Sequence, residues 1–401
     1  MTEQQAGVPD ERVGGPVAPG DADRSTEGTG ATGTTGASGT DPRTRPGRRA
    51  LTLSVSLLTT AALAAAGLVL PVPYAVNSPG PTLDVLGEHD GEPLITIEGA
   101  PTYDATGELR LTTVSAVGGP GYPASVLDVV VGWVRPDVLV QPAEDVYAPD
   151  LGRDELEEQN QAQMTSSQED ATVAALTQLG YEVPAVLTIT AAVEGSAAVG
   201  LVQEGDVLTA VDGVPLPDYG TLVEHLDQVT PGDTVTLTVT RDGAPVEVPV
   251  VTGEADGRAL IGVYIDPAFD LPVDVTIRSE DIGGPSAGTM FALGIIDALT
   301  PEDEADGAVV AGTGTISVDG RVGPIGGIRQ KLSGASRDGA SWFLAPDANC
   351  AETVGHVPDD LRVVAVGTLE EAYDAVVAIG AGDAQDLPTC TADGPSDASA
   401  A

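Results

Sequence analysis

The density and spacing of apolar residues divide the chain into five successive stretches. Residues 1–40 hold almost nothing large and apolar, so they cannot offset their ordering entropy and are expected to stay disordered. Positions 50–70 then run without one charged side chain, about the length that spans a bilayer as a helix. Between 71 and about 180 the pattern is mixed. It predicts strands at 94–97 and 109–114, an apolar helix near 124–134 and a polar helix over about 154–179, which Gly180 ends. From about 184 to 253 the apolar runs become short and β-like, at 186–190, 207–211, 234–241 and 245–251, with Asp242-Gly243 as a tight hairpin and a helix over 219–228. From about 257 to 381 strands and helices alternate. Strands are expected at 273–277, 308–316, 342–345 and 361–366, and helices at 286–299, 327–337 and 369–379, which is an α/β or α+β layer.

Charge adds a direction to this order. The chain has 401 residues and a formal net charge of −44, which excludes a general affinity for nucleic acid. Residues 1–49 are nearly balanced, with Arg43, Arg45, Arg48 and Arg49 just before the uncharged run. By the positive-inside rule this places 1–49 in the cytoplasm, 50–70 across the membrane as a single span, and everything past Pro71 outside. Ala64-Ala65-Ala66 leaves a cleaved leader as the alternative. Cys350 and Cys390 both fall on the expected outer side, where disulfides persist, so they are expected to pair. Closing a loop of that size contributes about 4 kcal/mol in the chain-entropy account. One buried thiol and one exposed tail thiol is the alternative.

Candidate chemistry centres on Gly283-Gly284-Pro285-Ser286-Ala287-Gly288 and on Lys331, the only lysine beside sixteen arginines. Lysine can lose its proton near neutral pH and arginine cannot, so Ser286 and Lys331 form a potential nucleophile and base. Ser286 is expected where a glycine-rich loop becomes a helix, close to free backbone N–H groups; an ordinary N-cap is the plainer reading. The stretch also satisfies Gly-x-Ser-x-Gly, with His356 as a conceivable base for an esterase. However, no strand runs directly into the first glycine. His89 and His225 have no ligand-spaced partners, and neither a cofactor nor a metal is implied.

Two sets of residues carry family resemblances. Gly195-Ser-Ala-Ala-Val-Gly-Leu201, Glu204-Gly-Asp-Val-Leu208 and Val211-Asp-Gly-Val-Pro215 resemble a bacterial PDZ domain. That places a peptide groove between 186–193 and the helix bearing Leu222, Val223 and Leu226, without a clear carboxylate loop in 181–185. Gly284-Pro-Ser-Ala-Gly288, Thr313-Gly-Thr-Ile316 and Gly320-Arg-Val-Gly-Pro-Ile-Gly-Gly-Ile-Arg-Gln-Lys331 resemble the proteolytic domain of the Lon family. Together with the apolar helix, the chain resembles membrane-anchored, PDZ-containing Lon-like serine proteases. The resemblance implies Ser286 as nucleophile, Lys331 as base and Thr313 as the hydroxyl orienting the lysine, with Gly284, Pro285 and Ala287 shaping the loop.

The implied fold is α+β, in the order 1–49 cytoplasmic tail, 50–70 transmembrane helix, 71–180 membrane-proximal region, 181–255 PDZ-like domain, 256–381 proteolytic domain and 382–401 acidic tail. Unfolded or extended proteins are the implied substrates, and a homo-oligomer, a hexameric ring, the implied assembly. No Walker motif is present, so no ATP is implied. An inactive PDZ scaffold is the alternative from another class.

Overall fold

The computed structural model describes residues 48–89, 91–148, 151–255, 257–279 and 282–396. The segment 1–40, Arg43, Arg45 and the last residues of the acidic tail lie outside the described residues. The helix Arg48–Val69 takes up the uncharged run; its first twenty residues have a mean hydropathy of 1.7 and none of them is buried, so by length and composition it can cross a membrane.

The main sheet has six strands in the order Arg362–Val366, Trp342–Pro346, Val309–Gly312, Glu108–Val117, Tyr74–Asp84 and Leu139–Pro142. The first four run parallel, and the last two add on antiparallel. Residues 71–180, expected as a region by themselves, therefore pair with strands from the far end of the chain. Parallel strands are buried on both faces, and here alternate residues divide between two cores. Val310, Leu344, Val364 and Val366 face the helices Arg153–Gln178, Gly288–Leu299 and Leu369–Gly380 through Ala171, Phe291, Ile295 and Val376. Ala311, Phe343, Ala345 and Val363 face the helix Ile328–Arg337 through Ile328, Leu332 and Ala335. The result is three layers, with the sheet in the middle.

The PDZ-like segment is a second, antiparallel sheet ordered Ala244–Val251, Thr234–Arg241, Val207–Val211, Ala185–Ala192 and Val263–Phe269, with a core of Leu187, Ile189, Leu208, Leu237 and Val250. Asp242 and Gly243 both take positive φ, as a two-residue hairpin matched to strand twist requires. The expected groove needs a free edge on the 186–193 strand, and that edge is taken. Val263 to Phe269 pairs along it from Ala192 to Ala185. The outer edge belongs instead to Val263–Phe269, where Pro267 costs no ladder hydrogen bond.

Candidate active site

The site lies at the carboxyl end of the central strand Val309–Gly312, where side chains from both layers of helices can meet. Thr313 leaves that strand fully buried. Ser286 comes from the layer on one side. It is not the helix N-cap; Ala287 is, the helix starts at Gly288, and the serine sits in the turn before it, half-buried. Gly284 reaches this turn with φ +85°, a conformation that favours glycine. Gly312 has to be small for another reason, since a Cβ there would come within 2.4 Å of Met290 Sδ on the serine's helix.

Lys331 comes from the other layer, in the first turn of Ile328–Arg337, flanked by the fully buried Ile328 and Leu332. The lysine is itself only 2% exposed. Its Nζ lies 2.7 Å from Ser286 Oγ and 2.7 Å from Thr313 Oγ1. Thr313 has one hydroxyl proton, and it donates that proton to the Ser286 carbonyl oxygen at 2.9 Å. Toward Lys331 the threonine can then only accept, which fixes one N–H of the amine and leaves the serine facing the rest of it. Gly314 N–H donates to the same Ser286 carbonyl at 2.9 Å. Burial among apolar side chains disfavours the ammonium and brings the Lys331 pKa down to about 7. A neutral amine beside a hydroxyl is thus available near physiological pH, and that pair can abstract and return a proton.

Residues 272–379 match the Lon protease (S16) C-terminal proteolytic domain, and residues 163–252 match the PDZ domain. The chain carries a Lon-type proteolytic domain and a PDZ domain. The chain is 37% identical over 98 residues to Lon protease 2 of Bacillus subtilis, covering 24% of this chain and 17% of that protein. The chain is 31% identical over 163 residues to the Lon protease of Rhizobium meliloti, covering 40% of this chain and 18% of that protein. The chain spans between 11% and 18% of the length of the curated Lon proteases it matches. The PDZ domain of an SdrC-like protein from Listeria monocytogenes is a structural neighbour with 16% identity, covering 20% of this chain and 86% of that one at a TM-score of 0.19.

Other residues singled out in the sequence fall elsewhere. His356 is exposed in the turn after the short helix Cys350–Thr353, while Ser286 Oγ has Lys331 as its partner. His225 lies 3.3 Å from Asp212 on the PDZ domain. Cys350 and Cys390 form a disulfide across a separation of 40 residues. It holds the short helix next to Asn349, whose amide accepts from Ile325 N–H at 2.9 Å and donates to the Ile325 carbonyl at 2.9 Å. That fixes the loop entering the lysine's helix.

The helix Arg153–Gln178, expected only as a polar helix, supports the serine turn. Gly284 N–H donates to the Asn160 carbonyl at 3.3 Å, and Ser167 Oγ donates to the Pro285 carbonyl at 3.0 Å. Asn160, Met164, Ser167, Ala171 and Ala174 recur at helical spacing on one face, the signal that could have pointed to it.

Proposed function

We propose that this protein is an ATP-independent serine endopeptidase, held to the cell membrane by one helix, that cuts unfolded or extended protein segments outside the cytoplasm. The observation that carries this reading is the 2.7 Å approach of the buried Lys331 Nζ to Ser286 Oγ. In the reaction neutral Lys331 takes the Ser286 hydroxyl proton as Oγ attacks the peptide carbonyl. Backbone N–H groups at the serine turn stabilise the oxyanion. The lysine ammonium then gives its proton to the leaving amine, and the C–N bond breaks to leave an acyl-enzyme. Water, deprotonated by the same amine, releases the acid and regenerates Ser286.

ATP independence is supported by the sequence itself, because a Walker-type phosphate loop needs a lysine and the only one lies against Ser286. Arg48 and Arg49 at the cytoplasmic end of the apolar helix support the orientation, and likeness to Lon-type domains supports a ring-shaped homo-oligomer, a hexamer.

The PDZ domain selects or gates substrate in this reading. A cavity of about 560 Å³ has Leu222 and Leu226 of the helix Tyr219–Asp227 and Leu260 on one side, and Ile316 and Val322 on the other. Ile316 follows closely on Thr313, so whatever fills the cavity touches the segment that holds the dyad. Arg258 pairs with Asp227 and reaches Asp319 at 3.9 Å, tying the two domains together there.

The decisive experiment is digestion of casein by the purified full chain without nucleotide, compared with Ser286→Ala. Nucleotide-free cleavage that disappears in the variant is expected; equal cleavage by both proteins removes the assignment.

A further inference from the structure

The helix Val126–Val134 does not behave as a helix of a water-exposed surface. Such a helix buries one apolar stripe and turns charge outward. Here the buried stripe is only Val129 and Gly132, packed on the strands Tyr74–Asp84 and Leu139–Pro142; a Cβ at Gly132 would come within 2.5 Å of Val140. The outward face is apolar as well. Val126, Leu127, Val130 and Val131 are exposed, as are Trp133 at 67% and Val134 at 80%. The single charge on the helix, Asp128, is occupied at its N-terminus, accepting from Ser125 N–H at 2.8 Å and Ser125 Oγ at 2.7 Å. In a chain of net charge −44, this face is an uncharged exception.

Its position identifies the partner. Pro71 pairs with Ser125 and Val72 with Ala124, so the residues that leave the apolar helix Arg48–Val69 are bonded to the cap of this one. Only Leu70 lies between Val69 and that ladder, and a residue of chain spans at most about 3.6 Å. The Trp133 ring meets Tyr74 edge-on, centroids 6.5 Å apart, and these are the two side chains favoured where hydrocarbon meets headgroups. We infer that the helix Val126–Val134 lies against the outer leaflet of the membrane, with its valine, leucine and tryptophan face in the lipid interface. This rests on the membrane-anchored reading above and goes beyond it, since a single span fixes no orientation of the domains and a second apolar contact does.

The test uses the full chain with Trp342→Phe, which leaves Trp133 as the one tryptophan of two. It is reconstituted into phosphatidylcholine vesicles with plain or brominated acyl chains, and flotation and tryptophan emission are read together. Trp133 is expected to be blue-shifted and to lose roughly half of its emission on brominated lipid, because an interfacial helix sinks about 5–10 Å toward the acyl boundary. Leu127→Glu with Val131→Glu should still float but lose the quenching. Chain that floats with Trp133 unquenched overturns the inference and leaves the anchor standing. If that unquenched emission is blue-shifted and returns to the red on dilution in lipid, a second copy covers the helix instead. Chain that does not float at all removes both the anchor and the inference.

Discussion

Lys331 Nζ and Ser286 Oγ approach to 2.7 Å although their helices lie on opposite faces of the sheet. They meet only because the parallel strand between them stops at Gly312, and Thr313 then turns its hydroxyl to both. A site built across a strand end depends on the whole sheet for its geometry, while the proton chemistry proposed for it depends on one buried amine.

Replacing that amine by a group of similar shape separates the two dependences. Lys331→Met should reduce turnover on unfolded casein by about 10²–10⁴-fold, the usual contribution of a general base. The thermal midpoint should stay level or rise, since a polar group leaves an apolar site. Lys331→Arg is a poorer probe, because its permanent charge would be buried where the lysine is only 2% exposed. A methionine variant that keeps most of its activity sinks the dyad.

The lowered lysine pKa predicts a pH profile. Burial makes the neutral form the favoured one above about 7, against an ordinary 10.5, so kcat/KM should climb through that pH and then level off. The neutral fraction is about one tenth a pH unit below the midpoint and about nine tenths a unit above it. For stability the sign is the same. The unfolded chain binds more protons between the two values, so the cost of burying the amine is full below about 7 and shrinks as pH rises toward 10.5. An activity profile that falls between pH 6 and 8 contradicts this assignment.

The serine and the lysine are legible in the sequence because their signals are local, a Gly-Pro-Ser-Ala-Gly turn and a lysine without a sibling. The sheet that brings them together is not. Its strand Tyr74–Asp84 contains Pro79-Gly80-Pro81, which reads as a turn; the structure accommodates it as a break in register between Pro79 and Thr82. The freed Gly80 carbonyl accepts from Arg337 Nη2 at 2.7 Å, anchoring the far end of the lysine's helix. The same difficulty displaced the PDZ groove. Val263–Phe269 holds Asp266 and Pro267, poor strand formers that an edge position tolerates. In both cases tertiary pairing overrides local propensity.

A buried pair of carboxyl groups gives a stability prediction of opposite sign. Asp297 and Glu304 lie together beneath the end of the helix Gly288–Leu299, and Glu304 also accepts from Thr300 at 2.6 Å. Burial and the neighbouring Glu304 push the Asp297 pKa up to about 8. A group with a raised folded pKa contributes stability that is full below its ordinary value, here 3.8, and is lost as pH rises from there through the folded value. Asp297→Asn keeps the shape without the titration, so its stability relative to the parent should be clearly higher at pH 9 than at pH 5. Denaturant midpoints at the two pH values decide it; an unchanged gap between variant and parent shows that Asp297 does not titrate there.

Ser167 tests whether the helix Arg153–Gln178 supports the proposed nucleophile. Its hydroxyl is buried and donates to the Pro285 carbonyl at 3.0 Å, one residue before Ser286, where the other bond to that carbonyl, from Gly288 N–H, is long at 3.4 Å. Ser167→Ala removes the better of the two. As a neutral hydrogen bond it contributes about 0.5–1.5 kcal/mol to stability, so the fold should survive with a small drop in midpoint. Its effect on the reaction should be larger than that loss implies, because the serine turn is what must hold Oγ in line with Lys331. The expected result is a several-fold fall in kcat with KM unchanged, and an equal fall in the rate at which a fluorophosphonate labels Ser286. A residue that only stabilised the fold would lower the midpoint and leave the labelling rate of the folded protein untouched, and that outcome would reduce Ser167 to a packing role.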